Sequence, residues 1–179
     1  PLTDNARRRL LTKIKLGQLV SAENKHRKTE QVIENYRREA AIEFENIKLD
    51  KPLKKITCSL LYWCEGAKDT YSGIRFTNSD PRLIRTFLAL FRKAFAVDET
   101  KLRVGLHLHE YHNPRRQIAF WSKTTGIPKQ KFINPFLKPH TSKRIKRNYP
   151  GCATIYYHSN DMARELLATA EMFIQNVGA

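Results

Sequence analysis

The chain has 179 residues, enough for one ordinary domain with an appendage and a buried core of its own. Apolar residues make up 41%, with nine Phe, seven Tyr and two Trp, which excludes a disordered tail, while 33 Lys+Arg against 17 Asp+Glu leave a formal charge of +16. Such an excess repels itself in a compact state and is relieved by a polyanion, and no apolar run approaches the ~20 residues a spanning helix needs.

The first part, residues 1–50, reads as a basic helical arm or linker. Residues 4–49 hold no proline, and Ile33, Tyr36, Ala40, Phe44 and Ile47 recur at helical spacing. The stretch from Ala22 to Gln31 is almost wholly polar. One long exposed helix, or two with a break near Gly17, is therefore expected, ended by Asp50-Lys51-Pro52.

A compact domain follows over residues 51–179. Ile56 to Cys64 is an apolar run suited to a buried helix and closed by Gly66, and Ser72 to Asn78 alternates like a strand. Asn78-Ser79-Asp80-Pro81 starts a helix whose inward face is Ile84, Phe87, Leu88, Phe91 and Phe95. Lys101 to Tyr111 is the clearest strand, with Leu102, Val104, Leu106 and Leu108 on one face and Arg103, Gly105, His107, His109 and Tyr111 on the other. Asn113-Pro114 opens a helix carrying Ile118 and Trp121, closed by Gly126. Strands are expected over Lys131–Leu137 and Cys152–His158, joined by a basic loop from Lys138 to Tyr149. A last helix from Asn160 to Asn176 turns Leu166, Leu167, Ala170, Phe173 and Ile174 inward. The fold class is α+β, with a mainly antiparallel sheet of about four strands covered on one face by helices.

Charge is distributed unevenly. From Arg7 to Lys28 eight Lys/Arg stand against Glu23 alone, and six acids crowd between Glu30 and Asp50. From Tyr111 to Asn160 there are ten basic residues, Arg115, Arg116, Lys123, Lys129, Lys131, Lys138, Lys143, Arg144, Lys146 and Arg147, and no acid. A solvated surface mixes both signs, so fifty residues without a carboxylate point to phosphate, whose neutralisation releases counterions. On the sheet, Arg75, Arg103, His107 and His109 would present an open cationic face able to lie in a groove of double-stranded DNA. RNA is less favoured, because no aromatic stacking platform is evident. Cys58, Cys64 and Cys152 are an odd set without CxxC spacing, all in apolar surroundings, and read as packing residues in a reducing cytoplasm.

The segment Cys58-Ser59-Leu60-Leu61-Tyr62-Trp63-Cys64-Glu65-Gly66, an apolar helix ending in an acid and a glycine, resembles the LAGLIDADG motif of homing endonucleases. Ile74-Arg75-Phe76-Thr77-Asn78-Ser79-Asp80-Pro81 and Phe120-Trp121-Ser122-Lys123-Thr124-Thr125-Gly126-Ile127-Pro128 resemble segments that follow it in single-motif bacterial proteins of this kind, so the likeness covers about residues 53–177. Leu60, Tyr62 and Trp63 depart from it, standing where the motif has glycine, isoleucine and aspartate. The resemblance implies a homodimer joined through residues 56–64, with two sheets forming a saddle over DNA in the bacterial nucleoid. It further implies Mg²⁺-dependent hydrolysis of phosphodiester bonds, with Glu65 as the metal ligand. Lys68, Lys123 and Arg103 are candidates for charge near the scissile phosphates, chosen by charge and placement. Such domains also occur in transcription regulators that keep the surface and do not cut. Related bacterial proteins often carry a helix-turn-helix ahead of the domain, and a start at Pro1 without Met fits its loss or removal.

Plainer readings stand beside these. Glu65 could be a helix-end carboxylate paired with Lys68. His107-x-His109 could hold a metal, though exposed strand positions beside phosphate suit them better. Tyr62 and Trp63 suit core or interface packing, and the N-terminal helix is a DNA-contacting arm or a solvated linker.

Overall fold

The computed structural model describes residues 3–139 and 148–178, and the chain divides into two units, residues 1–48 and 49–179.

The first unit is a single helix, α1 (Asp4–Glu45), of 42 residues, about 63 Å at 1.5 Å per residue. Thr3 caps it, its hydroxyl accepting from the Ala6 amide at 3.4 Å. Gly17 does not break it, and none of its side chains is buried. Its end comes at Glu45, ahead of the expected stop at Asp50-Lys51-Pro52. Those residues open the next helix instead: the Asp50 carboxylate accepts from the Leu53 amide at 2.9 Å and Pro52 sits in the first turn.

The second unit is α+β, and its elements follow the expected order. They are α2 (Lys51–Glu65), β1 (Ile74–Asn78), α3 (Pro81–Ala94), β2 (Leu102–His109), α4 (Pro114–Thr125), β3 (Phe136–Lys138), β4 (Cys152–Tyr157) and α5 (Asn160–Val177). The sheet order is β1-β4-β2-β3; β4 runs antiparallel to both neighbours, and β3 lies parallel to β2.

The strand expected over Lys131–Leu137 is short. Lys129–Lys131 form a 3₁₀ turn, Phe132 makes one bridge to Val104, and only Phe136–Lys138 pair along β2. Pro135, without an amide hydrogen, interrupts the ladder.

Helices α2, α3 and α5 supply the apolar cover. Phe87 of α3 stacks on Phe76 of β1 with centroids 4.0 Å apart, and Phe91 meets Tyr157 edge-on at 5.2 Å. Burial in α5 ends at Ala170; Phe173 is half-buried and Ile174 exposed, although the spacing placed both inward. Their periodicity is right, but the cover stops one turn early. Of the cysteines only Cys58 is buried, with Cys152 half-buried and Cys64 exposed, so core packing holds for one of the three.

Candidate nucleic-acid interface

Strand alternation splits the sheet into two faces. Ile74, Phe76, Leu102, Val104, Leu106, Leu108 and Ile155 pack under the helices. Arg75, Arg103, His107, His109, Cys152 and Tyr156 occupy the opposite parity and are all half-buried. Pairing sets them in rows. Arg75, Tyr156 and Arg103 lie abreast; Thr77, Thr154 and Gly105 form the next row; Cys152, His107 and Phe136 the third; His109 and Lys138 the last. Strands ~4.8 Å apart put the Arg75 and Arg103 backbones about 10 Å from each other, with a tyrosine between.

Local contacts hold these side chains in place. Arg75 Nη2 lies 3.2 Å from Asp69 Oδ2, and its buried Nε has no hydrogen-bond partner among the described residues. Arg103 Nη1 donates to the Thr100 and Leu102 carbonyls, each at 2.7 Å, which folds the guanidinium back along its own strand. Thr77 and Thr154 share a 2.8 Å hydroxyl bond across β1 and β4. His107 packs on Phe136, centroids 5.6 Å apart.

Beside the last row His109 stacks with Tyr111 at 5.3 Å and His112 at 5.9 Å, and Tyr149 joins at 6.2 Å. Sequence reading missed this group, because Tyr149 lies 37 positions beyond His112. It depends on one imidazole. The His109 amide lies 2.9 Å from His112 Nδ1, and Nε2 faces the Tyr149 carbonyl, which can only accept, at 2.9 Å. Trp121 Nε1 donates to the Pro150 carbonyl at 2.9 Å, a second tie on the chain returning into β4. Burial raises the Tyr149 phenol above its ordinary value, helped by Cys152 and Tyr111. Burial also raises the Cys152 thiol, against the pull of nearby Lys138, and pushes Cys58 up to about 12, so neither is an activated nucleophile.

The other basic candidates, Lys138 apart, lie outside these rows. Arg115 and Arg116 are exposed in the first turn of α4, where cations oppose the helix dipole and do nothing for the helix itself. Lys123, Lys129 and Lys138 are exposed, whereas Lys131 is half-buried and its ammonium donates to the Glu99 carbonyl. Lys143, Arg144, Lys146 and Arg147 lie outside the described residues.

Glu65 is exposed at the last position of α2, with Oε2 accepting from Asn78 Nδ2 at 3.0 Å. The glycine after it is needed for space: a Cβ on Gly66 would fall 2.6 Å from the Tyr62 carbonyl and against its ring. Lys68 places its ammonium 5.3 Å from the Trp63 ring centroid, and no ion pair joins it to Glu65. Tyr62 is fully buried and Trp63 half-buried against the core, so packing occupies the whole of the first ring and part of the second. Lys123 is not brought to Glu65. It lies two residues before Thr125, whose carbonyl binds Arg92 at the far end of α3, whereas Glu65 meets Asn78 just ahead of that helix. One helix length, about 20 Å, separates the two ends.

A carboxylate oxygen such as that of Glu65 suits Mg²⁺, yet the described residues contain no cluster of three His, Cys, Asp or Glu able to hold an ion. His107-x-His109 gains no third ligand among the described residues. Among the described residues no helix is long and apolar enough to cross a membrane. No family model matches the chain, and neither the curated proteins nor the solved structures contain a match to it.

Proposed function

We propose that this chain binds duplex DNA through the open face of its sheet. The observation that carries this reading is the row Arg75–Tyr156–Arg103, continued by His107, His109 and Lys138. This row joins a stretch of fifty residues that holds ten basic side chains and no acid. Phosphate contacts dominate such binding, so affinity falls on the order of a hundredfold between about 50 and 200 mM salt if five or more contacts form. Fluorescence anisotropy with labelled duplex measures this, and a flat salt response refutes it. The stacked group around His112 also gives single-stranded nucleic acid a platform. Tighter binding to single strands than to duplex at equal salt would replace the duplex reading.

In its domain organisation the chain acts, in this proposal, like a single-motif LAGLIDADG protein, as a homodimer through α2. Leu53, Thr57, Leu60 and Cys64 lie on the side of α2 away from buried Cys58 and Tyr62, leaving a largely apolar strip for a second copy. Two Glu65 carboxylates meeting at a dimer axis, with phosphate oxygens, would form a ligand set for the ion. Hydrolysis of phosphodiester bonds with Mg²⁺ follows from that pairing. The alternative is a non-catalytic regulator on the same surface, and the separation of Lys123 from Glu65 favours it. Nicking of supercoiled plasmid and of the native locus with Mg²⁺ or Mn²⁺ decides between them. A nuclease loses cleavage in Glu65→Gln while binding is kept; a regulator cuts in neither form.

A further inference from the structure

Helix α1 is unbalanced in three respects. Apolar side chains at both ends stand in water, among them Leu10, Ile14, Leu19, Tyr36 and Phe44, with exposures of 46–67%. Its halves carry opposite charge, eight Lys/Arg against Glu23 over residues 7–28 and five glutamates against Arg37 and Arg38 over residues 30–45. The acidic half is set against the helix's own dipole. Glu43 and Glu45 fill the last turn, which has no basic residue, whereas the first turn holds both Asp4 and Arg7.

We infer that α1 pairs antiparallel with the α1 of a second copy. This goes beyond the DNA-binding reading and does not depend on it. Antiparallel alignment sets the basic half of each helix along the acidic half of the other, and each acidic end beside the other's Arg7, Arg8 and Arg9. In the same register Leu10 lies level with the second copy's Phe44, and Ile14 with its Ala40. Gly17, with nothing within 4 Å of where its Cβ would stand, leaves room for the second copy's Tyr36. The polar stretch 22–31 falls at the two-fold axis, where the pair closes on itself. Parallel pairing would set like charge on like. Docking on DNA would leave the apolar residues wet and bring five glutamates toward phosphate.

The test uses the full chain without DNA. Benzoylphenylalanine replaces Ile14, nitrogen-15-labelled and unlabelled protein are mixed and irradiated, and cross-linked peptides are mapped by mass spectrometry. Mixed-isotope adducts between position 14 and residues 36–44 are expected. Adducts to the second copy's residues 10–18, to residues 49–178, within one chain only, or none at all overturn the pairing, as do adducts that form only to added DNA. Charge exchange supplies a second reading. Arg7, Arg8 and Arg9 changed to Glu, or Glu39, Glu43 and Glu45 changed to Arg, should each lower the cross-link yield on the order of tenfold. An equimolar mixture of the two variants should restore it. Circular dichroism checks that both keep their helix, and a yield insensitive to either exchange refutes the charge match.

Discussion

Gly105 lies beneath the ring of Tyr156: a methyl group built there would come within 2.9 Å of Tyr156 Cε2 and 3.4 Å of the hydroxyl oxygen. The absent side chain lets the ring lean from β4 over β2, while the register places Arg75 and Arg103 on either side of Tyr156. In Gly105→Ala the ring must move, and since its far edge yields, the cost to stability is about 1 kcal/mol. We predict a several-fold loss of DNA affinity beside that small loss. Urea unfolding and anisotropy on the same preparation separate the two, and unchanged affinity removes Tyr156 from the interface.

Leu60 and Leu61 are neighbours with opposite fates. Leu61 packs against the core, whereas Leu60 turns away from Cys58 and Tyr62. Leu61→Glu should therefore unfold the domain, because a charge left unpaired in apolar surroundings costs several kcal/mol, on the order of its total stability. Leu60→Glu should fold normally and lose the α2-to-α2 cross-links that two native copies form, while pairing through α1 is unaffected. A Leu60→Glu protein that still dimerises through residues 49–179 excludes the α2 interface.

Trp121 is fully buried, and its indole hydrogen bond to the Pro150 carbonyl ties α4 to the chain entering β4. Trp121→Phe keeps most of the apolar volume and leaves that carbonyl without its donor, at a cost of about 1–3 kcal/mol. DNA affinity should fall as well, measured well below the melting temperature, since the tie fixes where the basic stretch re-enters the sheet. Loss of stability with full affinity would confine Trp121 to packing.

Surface carboxylates of the second unit, Asp69 with its bond from the Ser72 hydroxyl among them, contribute to its response to acid. Asp80 is held below its ordinary value chiefly by the Arg82 guanidinium, Asp98 by the Thr100 hydroxyl, and Glu99 by the Arg92 guanidinium. Each is more acidic folded than unfolded, so its contribution is present above the ordinary values of 3.8 and 4.5 and is lost as pH falls through them toward the lower folded values. The urea midpoint should be level from pH 7 to about 5 and decline below. Because all are solvent-screened, the decline attributable to any one is small, and Glu99→Gln should remove only part of it. A midpoint that rises on acidification contradicts this.

Most of the second unit was legible in the sequence because its signals are local. Asp80-Pro81 and Asn113-Pro114 mark helix starts by satisfying free amides, and the alternation from Leu102 to Leu108 fixes a strand whichever neighbour it pairs with. The placement of Arg75, Arg103 and His107 on one face followed from parity alone. What escaped depends on register and distance. Tyr156 enters the row only because β4 lies between β1 and β2, and Tyr149 meets His109 and Tyr111 through a hydrogen bond to His112. Lys123 and Lys131 read as site residues by charge, yet the first sits in α4 toward the opposite end of α3 from Glu65 and the second is bonded to a carbonyl. Spacing along a chain reports neither.

The sheet's two borders bear on how the protein behaves in concentrated solution. Unpaired strand edges invite another chain to add on, and a DNA-bound protein is held at high local density where such additions start. Here one border is closed from within: Gly66 bridges Phe76 and the Ala67 amide donates to the Arg75 carbonyl, so the turn after α2 occupies the outer side of β1. At the other border β3 has only three residues, with Pro135 before it and Lys138-Pro139 at its end. Its exposed Phe136 and Leu137 offer an incoming strand too short a register to hold. Both borders thereby oppose fibrous aggregation in concentrated solution, and Pro139→Val together with Lys138→Val should remove that resistance first at this edge.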